Sequence, residues 1–231
     1  MTWGSLTNRD SCTARTPRPD RRHAKRASAT IGALPRARVA MKLLYFPLLA
    51  RNTLIEILAK EKGLELEVAC PEWPAYKEST LFGQLPQLEC ESAGKVCQSM
   101  AIARVLARRA KCEGESECDF IASEMLLEKF VEVYDELKAV NVYNVGVPTD
   151  KVAATTEALV KHFEHMESLV NAERGTVGDL AALAAVCVAR EFGVDAILAK
   201  APKVKAYYEA KKSVIDAAVG GYNAWFKPES A

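Results

Sequence analysis

The sequence predicts an α/β plus all-α fold: a small mixed unit over residues 41–111 and an all-helical unit over 118–231, with a basic extension, 1–40, outside both. Three observations predict it. Short apolar runs alternate with helical stretches from Met41 to Arg109; strand signals cease beyond the acidic segment 111–119; and residues 1–40 show no apolar periodicity. Apolar side chains recur every second residue in a half-buried strand and every three to four in a helix, so the change of period marks a change of architecture.

Each element has its own signal. KLLYF (42–46), bounded by Pro47, reads as a buried strand. NTLIEILAKEK (52–62) places Leu54, Ile55, Leu58 and Ala59 on one helical face, and Gly63 stops it. LELEVAC (64–70) alternates like a half-buried strand, while PQLEC (86–90) and KVC (95–97) flank the turn ESAG as a hairpin. QSMAIARVLARRA (98–110) is helical, with Ile102, Leu106 and Ala110 in register. Strands separated by a helix imply a parallel crossover, and the hairpin adds an antiparallel edge. In the second unit, Phe120, Leu127, Phe130, Tyr134 and Leu137 recur at helical spacing, as do Val152, Leu159, Phe163, Met166 and Val170 after Pro148 and Thr149. A third helix opens on TVGD (176–179), where Thr176 and Asp179 form a capping box, and closes at Gly193. A fourth runs through PKVKAYYEAKKSV, with Pro202 in its first turn.

Composition bounds the function. The chain has 231 residues, 49% hydrophobic and 26% charged, which excludes collagen-like, low-complexity and wholly disordered classes. No stretch reaches the roughly 18–20 uninterrupted apolar residues of a spanning helix, so no membrane span is expected. The net charge of +1 is an average of unlike parts. Residues 1–40 hold eight Arg and one Lys against two Asp, a net of +7, leaving 22 basic and 28 acidic residues in 41–231, a net of −6. The extension is too poor in apolar residues to offset its ordering entropy and is expected to be disordered. It reads either as an organellar transit peptide, rich in Arg and Ser and poor in acids, or as a mis-called start upstream of Met41. A nucleic-acid tail is the weaker reading, for lack of interleaved aromatics, and no nucleic-acid partner is expected. The seven cysteines (Cys12, Cys70, Cys90, Cys97, Cys112, Cys118, Cys187) contain no CxxC and read as reduced thiols of an intracellular compartment. The cytoplasm is the expected location, with mitochondrion or plastid the alternative if 1–40 is a transit peptide. His162 and His165 lie three apart on one helix without further convergent ligands, so they read as a solvated polar face and no metal is expected.

LYFPLLAR (44–51), EWPAYK (72–77), FGQLPQLE (82–89) and QSMAIARVLAR (98–108), in that order, resemble the glutathione S-transferase family, within it the sigma-like class that includes the glutathione-dependent prostaglandin D synthases. The resemblance is dense over 41–110 and continues over 118–208, where TVGDLAAL and PKVKAYY fall where the family carries its helix-capping box and a late helix. It implies a thioredoxin-like N-terminal domain of order β-α-β-α-β-β-α, including a second helix that residues 71–85 do not announce. It also implies a helical C-terminal bundle, usually in a homodimer, and glutathione as co-substrate.

The chemistry so implied needs a stabilised thiolate, because a thiol with the ~8.5 pKa of free cysteine is mostly protonated at pH 7. By resemblance Tyr45 is the catalytic tyrosine, donating a hydrogen bond to sulfur. Gln98 and Ser99 open a helix whose free N–H groups and dipole suit an anion, and by resemblance hold the γ-glutamyl end. The resemblance further implies that Leu85, before a cis Pro86, offers its backbone to the peptide, that Gln84 belongs to the same loop, that Trp73 and Lys77 contact the glycyl end, and that Arg51 lies near the sulfur.

Two departures stand out. Many relatives read Gly-Arg-Ala-Glu where this chain has Ala50-Arg51-Asn52-Thr53, so the loop is expected to differ in shape. An Asp common near the start of the first helical-domain helix reaches across the dimer to the glutathione ammonium, and alignment by that helix puts Ser123 there. A lost charge-assisted bond would weaken binding by about 1.5–3 kcal/mol. The expected function is conjugation of the glutathione thiolate to small hydrophobic electrophiles, with isomerase or peroxidase side activity and a place in detoxification. The alternative is a non-catalytic binding or structural protein of the same fold.

Overall fold

A computed structural model describes residues 41–91, 94–141 and 145–229. The readings placed on residues 1–40, Cys12 among them, and on the turn residues Ser92 and Ala93 lie outside those described.

Strand β1 (Met41–Leu44) runs parallel to β3 (Glu67–Ala69) and antiparallel to β4 (Gln87–Cys90), which pairs antiparallel with β5 (Gly94–Cys97). The sheet order is β3-β1-β4-β5, with Leu43 opposite Val68 on one side and Leu88 on the other. Between β1 and β3 lie a two-residue strand, β2 (Leu48–Leu49), and helix α1 (Thr53–Glu61). Helix α1 is buried from Thr53 through Ala59 because it packs on α2 (Ser99–Ala110) and on the helical unit beyond. Ile57, outside the face read from the sequence, is therefore fully buried too.

Where the resemblance implied a second helix, the chain makes a single 3-10 turn at Lys77–Ser79. Pro71 and Pro74 remove backbone donors from this stretch, and Gly83, at φ +64°, turns the chain into β4. Gln87, fully buried, pins the loop: its Oε1 accepts from the Leu81 N–H (2.8 Å).

The helical unit opens with α3 (Glu117–Val140), three residues earlier than its apolar spacing suggested. Ser116 accepts from the Asp119 N–H while the Asp119 carboxylate accepts from the Ser116 N–H, so the acidic segment itself caps the helix. Then follow α4 (Thr149–Glu167) and α5 (Val177–Ala189), whose every residue is buried. The Thr176–Asp179 capping box forms, and Arg174 adds two bonds to the fully buried Asp179 carboxylate (2.7 and 3.0 Å). A 3-10 turn (Arg190–Phe192) and a short α6 (Val194–Ile197) precede the expected fourth helix, which breaks at Lys211 into α7 (Pro202–Ala210) and α8 (Lys212–Val219).

Helices α3 and α5 cross at Gly178. A Cβ there would lie 2.2 Å from the Ser123 carbonyl oxygen, so only glycine permits the approach. Burial of α5 supplies much of the core, at about 1.5–3 kcal/mol for each large side chain.

His162 departs from the solvated face read for it. It is half-buried between α4 and α3, with Nδ1 3.7 Å from Glu132, and burial together with Lys129 holds its pKa below the usual histidine range. Cys112 is buried, Cys118 exposed, and neither forms a disulfide. No described helix is long and apolar enough to cross a membrane.

The last described residues return to β2. Strand β6 (Asn223–Ala224) pairs parallel with β2, and beyond it the Val147 N–H donates to the Lys227 carbonyl (2.8 Å) while the Glu229 N–H donates to the Val147 carbonyl (2.9 Å).

Candidate functional site

Tyr45 leaves the end of β1, its N–H held by the Ala69 carbonyl (3.1 Å) and its ring 4% exposed. The ring tilts against Phe46 (5.6 Å), which meets the half-buried Trp73 edge-on (6.1 Å). Burial pushes the Tyr45 phenol up, while the Arg51 backbone and charge and the Tyr134 hydroxyl pull it down. Arg51, in the loop entering α1, stacks its guanidinium over the Tyr134 ring (4.3 Å) and reaches Asp135 (3.5 Å). It therefore spans from the sheet side to α3. Burial likewise pushes the Tyr134 phenol well up, with Tyr45 beside it adding and Arg51 opposing.

A second group gathers at the start of α2. Gln98 sits at the N-cap with φ +72°, a region costly by about 1–3 kcal/mol for a non-glycine residue, and caps nothing with its side chain. Its Nε2 donates instead to Gln84 Oε1 (3.4 Å). Ser99 is buried at the first helical position, and no acid lies in the first turn of α2, so the helix itself sets no countercharge against its dipole there. Both Trp73–Pro74 and Leu85–Pro86 are cis. A Cβ on Gly83 would lie 3.5 Å from Lys77 Cε, which places the Lys77 stem beside the Gln84 loop.

The structure thus brings the sequence-derived residues into two groups. Tyr45, Arg51 and Trp73 join through Phe46 and Tyr134; Lys77, Gln84, Leu85, Pro86, Gln98 and Ser99 join around the cis-proline loop and the α2 start. One group offers a buried phenol beside a guanidinium, the other backbone donors, an ammonium and amides.

The profile of the glutathione S-transferase N-terminal domain matches residues 39–108. Probable glutathione S-transferase 6 of Caenorhabditis elegans is 33% identical over 141 residues, covering 57% of this chain and 68% of that protein. The chain belongs to the glutathione S-transferase family. S-crystallin SL11 of Nototodarus sloanii is 31% identical over 127 residues, 52% of this chain and 57% of that one. The sigma class glutathione S-transferase of Fasciola hepatica shares the fold at a TM-score of 0.62 and 20% identity, over 79% of this chain and 93% of that one. The resemblance read from four motifs over 44–108 is borne out, as is the thioredoxin-like unit followed by a helical one.

Within this family member, the structure corrects the reading of Ser123. Its side chain is 1% exposed, and its Oγ accepts from the Gly178 N–H (3.0 Å) inside the α3–α5 crossing. It faces the chain's own core, not a second subunit. The acid beside it, Glu124, pairs with Arg104 on α2 (2.7 Å), which also reaches Glu128 (2.9 Å). Sequence reasoning missed Tyr134 and Asp135 as neighbours of Arg51. The available signal was a single hydroxyl in the otherwise hydrocarbon row Phe120, Leu127, Phe130, Leu137. The tail strand β6 offered no periodic signal.

Proposed function

We propose that the chain is a glutathione transferase that joins the glutathione thiolate to small hydrophobic electrophiles, with glutathione as co-substrate. The observation that carries this is Tyr45 at the end of β1, its phenol kept protonated by burial and set beside Arg51, while the α2 start and the Lys77–Gln84 loop stand ready for the peptide's charges. In this reading Gln98, Ser99 and the first-turn N–H groups of α2 hold the γ-glutamyl carboxylate. Leu85 pairs its backbone with the cysteinyl unit, and Lys77 and Trp73 hold the glycyl end.

The thiol releases its proton to solvent, and Tyr45 donates a hydrogen bond to the resulting thiolate. A lone pair on sulfur then forms the S–C bond. In substitution the electrophile's leaving group departs with the old bonding pair; in addition to an activated double bond the neighbouring carbon takes up a proton. Each unit by which the thiol pKa falls corresponds to about 1.4 kcal/mol of preferential stabilisation of the thiolate. A phenolic hydrogen bond to a charged partner, about 1.5–3 kcal/mol, supplies one to two such units.

A homodimer fits this reading. Ile121 and Met125 lie exposed one turn apart on α3 beside the Arg104–Glu124–Glu128 cluster, and Leu81 and Phe82 are exposed in the loop before β4.

The test is conjugation of an aryl halide by the full chain, with Tyr45→Phe beside it. We expect turnover in the wild type and a loss of about ten- to hundredfold in kcat/KM in the variant. Turnover indifferent to the substitution would remove Tyr45 from its role. Retention on immobilised glutathione without turnover would favour a non-catalytic binding protein of the same fold.

A further inference from the structure

Tyr134 carries a hydroxyl where packing alone calls for hydrocarbon, as Phe130 supplies one turn earlier on α3. Its side chain is 2% exposed, so no substrate reaches it. Three side chains hold the ring. The Arg51 guanidinium lies over its face, 4.3 Å from the centroid, while Phe226 and Trp225 meet it edge-on at 5.1 and 6.3 Å. Each of these is fixed in turn. Arg51 reaches Asp135, the next residue on α3 (3.5 Å). The tail bearing Trp225 and Phe226 is tied down at Tyr222, whose hydroxyl donates to the buried Glu56 carboxylate (2.7 Å) and whose carbonyl accepts from Arg190 Nη2 (3.1 Å). Asn223 and Ala224 then pair with Leu48 and Leu49. The ring is held on several sides, and its hydroxyl with it.

That hydroxyl meets Tyr45. The Tyr45 oxygen has two hydrogen-bond partners, the Arg51 backbone N–H and the Tyr134 hydroxyl, and both favour its ionised form, so both donate to it. A phenol oxygen has two acceptor lone pairs and a single proton. With both lone pairs taken, the bond left to Tyr45 is donation of its own proton. Tyr134 is suited to the donor's part, because burial and the neighbouring Tyr45 push its phenol well up and keep it protonated. Hydrogen bonds in a chain polarise one another, so a hydroxyl that accepts also donates more strongly. The Arg51 charge over the Tyr134 ring acts in the same sense.

We propose that Tyr134 is a positioning residue for thiolate formation: it donates to Tyr45 Oη, commits the Tyr45 proton to the glutathione sulfur and strengthens that bond. This rests on the transferase reading above. Tyr134 touches neither substrate and acts through Tyr45 alone, and both phenols keep their protons throughout.

The experiment uses the full chain with Tyr134→Phe, Tyr45→Phe and the double variant. Tyr134→Phe keeps the ring beneath Arg51 and against the tail aromatics, and removes the oxygen alone. The first readout is the pH at which the thiol of bound glutathione ionises, followed by thiolate ultraviolet absorbance, which needs no turnover. The second is the pH profile of kcat/KM with an aryl halide. Tyr134→Phe should raise the thiol pKa by about half a unit, a roughly threefold loss of thiolate below that pKa. The kcat/KM should fall by the same factor at low pH and converge on the wild type once the thiol is ionised in both. In the Tyr45→Phe background the same substitution should change neither readout.

An unshifted thiol pKa in Tyr134→Phe, with the wild-type thiol lowered and dependent on Tyr45, would overturn the proposal and leave the transferase reading standing. A loss of equal size in the Tyr45→Phe background, or one uniform across pH, would overturn action through Tyr45. A wild type that leaves the thiol of glutathione at its free pKa would overturn the transferase reading and the role of Tyr134 together.

Discussion

At the scale of single residues, position 123 separates what alignment suggests from what packing permits. The helix register invites the substitution Ser123→Asp, as though an acid were missing from a glutathione site. The buried Oγ beside the Gly178 N–H makes a different outcome follow. A carboxylate there would be enclosed in the α3–α5 crossing with one backbone donor and no cation, so Ser123→Asp should lower stability by about 3 kcal/mol or more and leave glutathione affinity no tighter. Thermal unfolding and a glutathione titration of the same protein check both halves. The place of Tyr45, by contrast, was legible: a tyrosine directly after a strand, which the structure sets beside Arg51. Trp73, Lys77, Gln84, Gln98 and Ser99 lie within motifs of the resemblance, and their part in binding belongs to the proposed function. Tyr134 was not legible, because its hydroxyl occupies a helical row that periodicity assigns wholly to the core.

At the scale of elements, signals strong in local physics were read well and those set by tertiary contact were not. The box at Thr176–Asp179 was read directly, whereas the same device at Ser116–Asp119 was hidden in an acidic run that resembles a linker. The Pro-rich stretch 71–85 promised no helix and makes only one 3-10 turn. The break between α7 and α8 falls at a lysine whose sequence context is helical throughout. Two outcomes belong here. Gly178→Ala places a methyl group into the Ser123 backbone, so it should destabilise the chain by at least about 1–3 kcal/mol, read as a melting temperature lowered by several degrees. Between α3 and α4, His162 is held neutral by burial and Lys129 against the pull of Glu132 and Glu136. The unfolded chain takes up this proton near pH 6.5 while the folded one resists, so stability should fall as pH drops below about 6.5. His162→Gln should flatten that slope in denaturant titrations across pH 5–7.

At the scale of the whole molecule, association is the property left to weigh. Exposed Ile121 and Met125 flank ion pairs, a mixture suited to a second copy's surface, though the individual surface pairs contribute little by themselves. In the proposed homodimer, Met125→Glu should raise the dissociation constant about tenfold or more by burying a charge in such a contact, measurable by sedimentation velocity over a concentration series.

The pairing of Leu48–Leu49 with Asn223–Ala224 closes a loop of about 175 residues, a contact of high sequence separation that forms late because its closure entropy must be met first. For a chain made from its N-terminus on a ribosome, β1, β2 and α1 emerge well before the segment that borders the candidate site. Glu56 then waits for Tyr222 through the synthesis of nearly the entire helical unit. A nascent chain stalled before residue 222 would lack this border.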